Sequence, residues 1–138
     1  MDNNLVAEKT APSIHMVYQP VARITQDELE VVAYESLLRA SPNRCNHTTF
    51  SIITDAEEAG TIPTLDARIA RLACSDAAKL DGMNLWINMS QVTLSYPPAA
   101  KQIADVILEN GLSGRVTVEI TETADGEVPL LLESIQLL

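Results

Sequence analysis

A change of hydrophobic period along the chain constrains its fold more than any other feature. Residues 15–24 (HMVYQPVARI) and 29–39 (LEVVAYESLLR) are rich in β-branched and aromatic side chains and are joined by the polar link Thr25-Gln26-Asp27-Glu28. Two such runs separated by four turn-forming residues predict a β-hairpin. After Ser41-Pro42-Asn43 the spacing turns helical, first around Phe50, Ile53, Ala56 and Glu57 up to Gly60. A second helix opens at Pro63 and carries Leu65, Ile69, Leu72, Ala73, Ala77 and Leu80 at three- and four-residue intervals, until Asp81-Gly82. Alternation returns in Asn84–Ser90, gives way to a helix from Pro97 to Gly111, and resumes in Arg115–Thr121. A last helix is predicted over Glu127–Leu138, with Pro129 near its first turn.

The predicted order, β-β-α-α-β-α-β-α, belongs to an α/β chain with a largely parallel sheet whose first strand is antiparallel to the second. Residues 1–13 read as a loose, flexible N-terminal arm and 14–138 as one domain, without repeat or linker. The 138 residues suffice for a real core, since a domain usually takes roughly 100–200. No apolar run approaches the roughly 18 residues of a membrane span, and the N-terminus carries no signal-peptide pattern. With 9 Lys plus Arg against 19 Asp plus Glu, the net charge of −10 argues against nucleic acid or an anionic membrane as partner. Cys45 and Cys74 form no disulfide framework, so the expected setting is reducing and cytoplasmic.

Successive strand side chains point to opposite faces. Leu85, Ile87 and Met89 therefore share one face of the third strand, and Val116, Val118 and Ile120 one face of the fourth, as surfaces for helices to cover. The opposite face collects Gln19, Glu35, Arg39, Asn88 and Glu119, together with Trp86 and Ser90. Two carboxylates and a carboxamide on one face are costly to bury unpaired. Mg²⁺ or Mn²⁺ would suit their oxygens, and the Arg39 fork would suit a phosphate. The bland alternative is an ion pair between Glu119 and Arg39 within a solvated sheet end. Trp86 could stack on a base or simply fill the sheet's mouth. Cys45-Asn46-His47 and His15 lack partners at ligand spacing, Glu57-Glu58 reads as a solvated helix face, and Asn88-Met89-Ser90 is a glycosylation pattern without a secretory context.

Five segments carry a resemblance to a known family. Tyr18-Gln19-Pro20-Val21 resembles the YQPI opening of the bacterial EAL domain, the cyclic di-GMP phosphodiesterase family, and Tyr34–Arg39 resembles its YEALLR. Phe50 with Ala56-Glu57-Glu58-Ala59-Gly60-Thr61-Ile62 is similar to its F(x)nAEExGxI stretch. Ile87–Ser90 resembles its xNxS strand, and Glu119–Glu122 its ExTE strand. The resemblance implies a TIM-type (β/α)₈ barrel with an antiparallel first strand, of which this chain would form about four strands. It implies Glu35, Asn88 and Glu119 as ligands of Mg²⁺ or Mn²⁺, and Gln19, Leu37 and Arg39 as contacts to cyclic di-GMP. The implied chemistry is attack of a metal-activated water on one phosphodiester to give linear pGpG, helped by two cations and a lysine.

Ser36 stands where the family has alanine, on the face opposite Glu35. The family's paired aspartates, its catalytic lysine and a further glutamate have no counterpart before Leu138, and Lys9, Lys79 and Lys101 lie away from strand ends. The expectation is a truncated EAL-like domain, catalytically silent alone, acting through weak nucleotide binding or an unidentified protein partner. Two alternatives stay open: hydrolysis with a site completed by another chain, or a remnant without activity. A half-barrel's strand edges further predict a homo-oligomer.

Overall fold

The structure, a computed structural model, describes residues 13–41 and 48–121. The predicted last helix, most of the N-terminal arm, Lys9, Cys45-Asn46-His47 and Glu122 lie outside the described residues. Four strands form one sheet in the order β1-β2-β3-β4: β1 (Ile14–Ile24), β2 (Leu29–Ala40), β3 (Leu85–Ser90) and β4 (Val116–Thr121). The first pair is antiparallel and the other two are parallel, as the change of period predicts. The Thr25–Glu28 link closes the hairpin through a 3.0 Å bond from the Thr25 amide to the Glu28 carbonyl. A register shift between Val21 and Ala22 interrupts the pairing near that end.

Between β2 and β3 run α1 (Thr49–Ala59) and α2 (Ile62–Ala78); α3 (Gln91–Leu94) and α4 (Pro97–Glu109) follow β3. Thr48 and Ser51 cap α1 reciprocally, each side chain bonding the other's backbone N–H. Gly60 ends it at φ +69°, a conformation a Cβ would strain. Pro63 in α2 and the prolines opening α4 occupy first-turn positions, where a missing N–H costs nothing. Phe50, in the helical pattern of α1, is exposed, and Ile52 and Ala56 make that helix's buried face.

The core lies on one side of the sheet. Leu85, Ile87 and Met89 are fully buried there, against Ala70, Ala73, Cys74 and Ala77 of α2 and Ile103 of α4. The alanine side of α2 is small enough for α4 and β3 both to pack on it. Burial pushes the Cys74 thiol up to about 11, which makes it an inert core residue. Arg115 fastens the opposite end of the sheet, its guanidinium donating to the Met83 carbonyl at 2.6 and 2.9 Å and to Leu80 at 3.3 Å.

Candidate metal and nucleotide site

One residue from each strand meets its neighbour across the sheet. Gln19 of β1 is registered with Glu35 of β2, and Asn88 of β3 with Glu119 of β4. The Asn88 side-chain amide closes the gap, donating to Glu35 Oε1 at 3.3 Å and to the Ser36 carbonyl at 3.4 Å. That bridge is needed because the β2–β3 ladder holds only Tyr34↔Leu85 and Glu35↔Trp86 before the strands part. The result is a row, Gln19–Glu35–Asn88–Glu119, on the face away from the helices.

The Glu35 and Glu119 side chains lie close enough to interact across β3. Burial first, then the Glu35 charge and side-chain contact with it, hold the Glu119 carboxyl above the usual carboxylate range. A cation beside the two carboxyl groups would offset their mutual repulsion. With the Asn88 carboxamide they offer three oxygen donors of the kind hard divalent ions take, leaving further positions to water. Among the described residues no group of three or more His, Cys, Asp and Glu side chains gathers as a metal site.

Arg39 lies farther along β2 than the row, at the cavity that Leu37 and Asn88 also line. Arg39 stands opposite His15, four residues along β2 from Glu35, or about 13 Å at strand rise. Its Nη1 donates to the Leu38 carbonyl at 2.7 Å, and it makes no described ion pair with Glu119. Leu37, between them on the same face, is half-buried. Trp86 is registered with Glu35 and Thr117, half-buried within the row's face.

Ser90 was phased onto the same face but instead caps α3, its Oγ accepting from the Val92 amide at 3.2 Å. Ser36 lies on the helix side, 2% exposed, with Oγ donating to the Trp86 carbonyl at 3.1 Å. Of the described lysines, Lys79 caps the end of α2 and Lys101 pairs with Asp105 on α4. Neither belongs to the strand residues that make the row.

Sequence reasoning passed over two acids. Asp66 of α2 is buried and accepts from the Ser90 amide at 2.9 Å and the Thr93 hydroxyl at 2.6 Å. Burial raises its carboxyl while these two bonds lower it, with burial prevailing. Asp76 accepts the Tyr18 hydroxyl at 2.5 Å, and burial and that acid raise the Tyr18 phenol. The available signal was positional for Asp66, which shares the apolar stripe of Ile62, Ile69, Ala70 and Ala73 at helical spacing.

The EAL domain family profile matches residues 3–137. The chain belongs to the EAL domain family. The PaMucR phosphodiesterase, solved as a c-di-GMP complex, superposes with a TM-score of 0.72 at 20% identity, over 90% of this chain and 54% of that one. An EAL domain protein from Listeria monocytogenes EGD-e gives 0.73 at 16% identity, over 91% and 50%. The FimX EAL domain of Xanthomonas citri, in complex with c-di-GMP, gives 0.65 at 18% identity, over 96% and 50%. The mixed four-stranded sheet with its helices is thus an EAL fold, and the chain spans about half the length of these solved structures. A comparison with curated protein sequences finds no match. No described helix is long and apolar enough to cross a membrane.

Proposed function

We propose that this EAL chain serves cyclic di-GMP signalling as a binding module, holding Mg²⁺ or Mn²⁺ at Glu35, Asn88 and Glu119 without hydrolysing the dinucleotide by itself. The observation that carries the reading is Asn88, registered with Glu119 on one side and bonded to Glu35 Oε1 at 3.3 Å on the other, which gathers two carboxyl groups around one carboxamide. A cation there would relieve the charge conflict and offer a positive centre to a phosphodiester. Gln19 and Leu37 lie on the same face for the nucleotide, and Arg39 farther along β2 suits a second phosphate. Solved relatives bound to c-di-GMP support that ligand.

Chemistry is a separate matter. In the family it draws on two cations, paired aspartates and a lysine, and these 138 residues contain no adjacent aspartates. Lys101 is engaged with Asp105 at 3.2 Å. Binding without turnover is the activity these residues support. The outer strands of the described sheet, β1 and β4, present backbone edges that suit self-association or a protein partner.

Titration calorimetry with cyclic di-GMP in Mg²⁺ or Mn²⁺, alongside an assay for pGpG, tests the proposal. Saturable binding, lost in Glu35→Ala, with no pGpG formed is the expected result. Turnover abolished by Glu35→Ala would overturn the silent-module reading, and absence of binding would overturn the nucleotide role. Light scattering after size exclusion tests self-association, which a stable monomer at high concentration would contradict.

A further inference from the structure

We propose that Asp66 is a positioning residue for the carboxylate row, fixing the end of β3 that presents Asn88; its link to cation binding rests on the reading of the row given above. Asp66 projects from α2 into the interior, 6% exposed. One oxygen, Oδ2, accepts both the Ser90 backbone N–H at 2.9 Å and the Thr93 hydroxyl at 2.6 Å. Ser90 closes β3 and caps α3, and Thr93 is fully buried. The two bonds thus grip the turn that begins two residues after Asn88.

That grip matters because β3 is poorly held on its β2 side. Their ladder ends at Glu35↔Trp86, and a cavity of about 280 Å³ opens among the described residues between Asn88, Ser90, Asp66 and the end of β2. β4 supports β3 from the other edge through Ser90↔Thr121. From α2, Asp66 supplies two hydrogen bonds to this turn. Asn88 spans the gap with amide bonds of 3.3 and 3.4 Å, already long, so a small displacement of the β3 end would break them. A buried carboxylate is a costly way to hold a turn by packing alone. A single oxygen that takes a backbone and a side-chain donor together is an effective way to fix its orientation.

The test uses the full chain, its Asp66→Ala and Asp66→Asn variants, and two readouts. The first is the NMR signal of the Asn88 side-chain amide, assigned by its disappearance in Asn88→Asp. The second is Mn²⁺ affinity by titration calorimetry. Asp66→Ala is expected to move the Asn88 amide toward the position of a solvent-exposed amide and to weaken Mn²⁺ about tenfold. Asp66→Asn keeps an acceptor oxygen at that place and is expected to restore both. A folded Asp66→Ala chain with an unmoved Asn88 amide overturns the proposal. If the parent chain binds no Mn²⁺, the cation reading fails, while the amide signal still decides the positioning role. If Asp66→Ala does not fold, Thr93→Val removes the 2.6 Å bond alone; the Asn88 amide must then move in the same direction, and an unchanged signal overturns the proposal.

Discussion

Glu35 and Glu119 come from strands that are not neighbours, yet the Glu35 side chain reaches close enough across β3 to help raise the Glu119 carboxyl. Asn88 on the intervening strand makes this reach useful, since its amide donates to Glu35 while its backbone is registered with Glu119. The raised Glu119 carboxyl ties the stability of this end of the sheet to pH.

The sign of the pH effect follows from the raised Glu119 carboxyl. Its folded form favours the protonated state, so its contribution to stability is fully present below the ordinary value of 4.5 and is lost as pH rises through the raised value. Without divalent cations, Glu119→Gln should therefore raise the melting temperature at neutral pH by a few degrees and leave it nearly unchanged at acid pH. Thermal unfolding in a chelating buffer across that range checks this; a lower melting temperature for Glu119→Gln at neutral pH would contradict it.

Tyr18 and Asp76 tie β1 to α2 by a half-buried hydrogen bond of 2.5 Å. Tyr18→Phe is expected to cost about 1–2 kcal/mol in urea unfolding, as for a bond to a charged group whose acceptor keeps some access to water. Because the Tyr18 phenol is raised, its contribution holds below the ordinary value of 10.0 and is lost above it. The difference between parent and Tyr18→Phe should accordingly shrink at strongly alkaline pH. A difference that stays constant at strongly alkaline pH would contradict this.

Ser36→Ala installs the family's usual residue and deletes the 3.1 Å bond to the Trp86 carbonyl. The site is sealed, and alanine fits it without a clash, so the loss should be about 0.5–1 kcal/mol. Mn²⁺ affinity should not change, because Ser36 lies on the helix side of β2. A large fall in affinity with this variant would mean that Ser36 shapes the row through the strand.

The strands were legible because their two-residue period holds through the row, away from the register shift at Val21 and Ala22. The hairpin link, the buried Leu85-Ile87-Met89 face and the Gln19, Glu35, Asn88 and Glu119 row all follow from it. Phase says which way a side chain points, and it does not say how far along the strand it lies. Arg39 was grouped with Glu35 for that reason, although about 13 Å of strand separates them. Ser90 failed differently, since the strand ends there and its hydroxyl caps a four-residue helix too short to show a period. Asp66 and Asp76 were invisible as determinants because their partners, Ser90, Thr93 and Tyr18, are distant in sequence and meet them only after packing.

The most direct test of the cation reading is Mn²⁺ titration calorimetry on the parent chain and on Glu35→Ala and Glu119→Ala. If the carboxylate row is the site, the parent should give a saturable isotherm that each substitution weakens at least tenfold. Isotherms that coincide for the parent and both variants would contradict it.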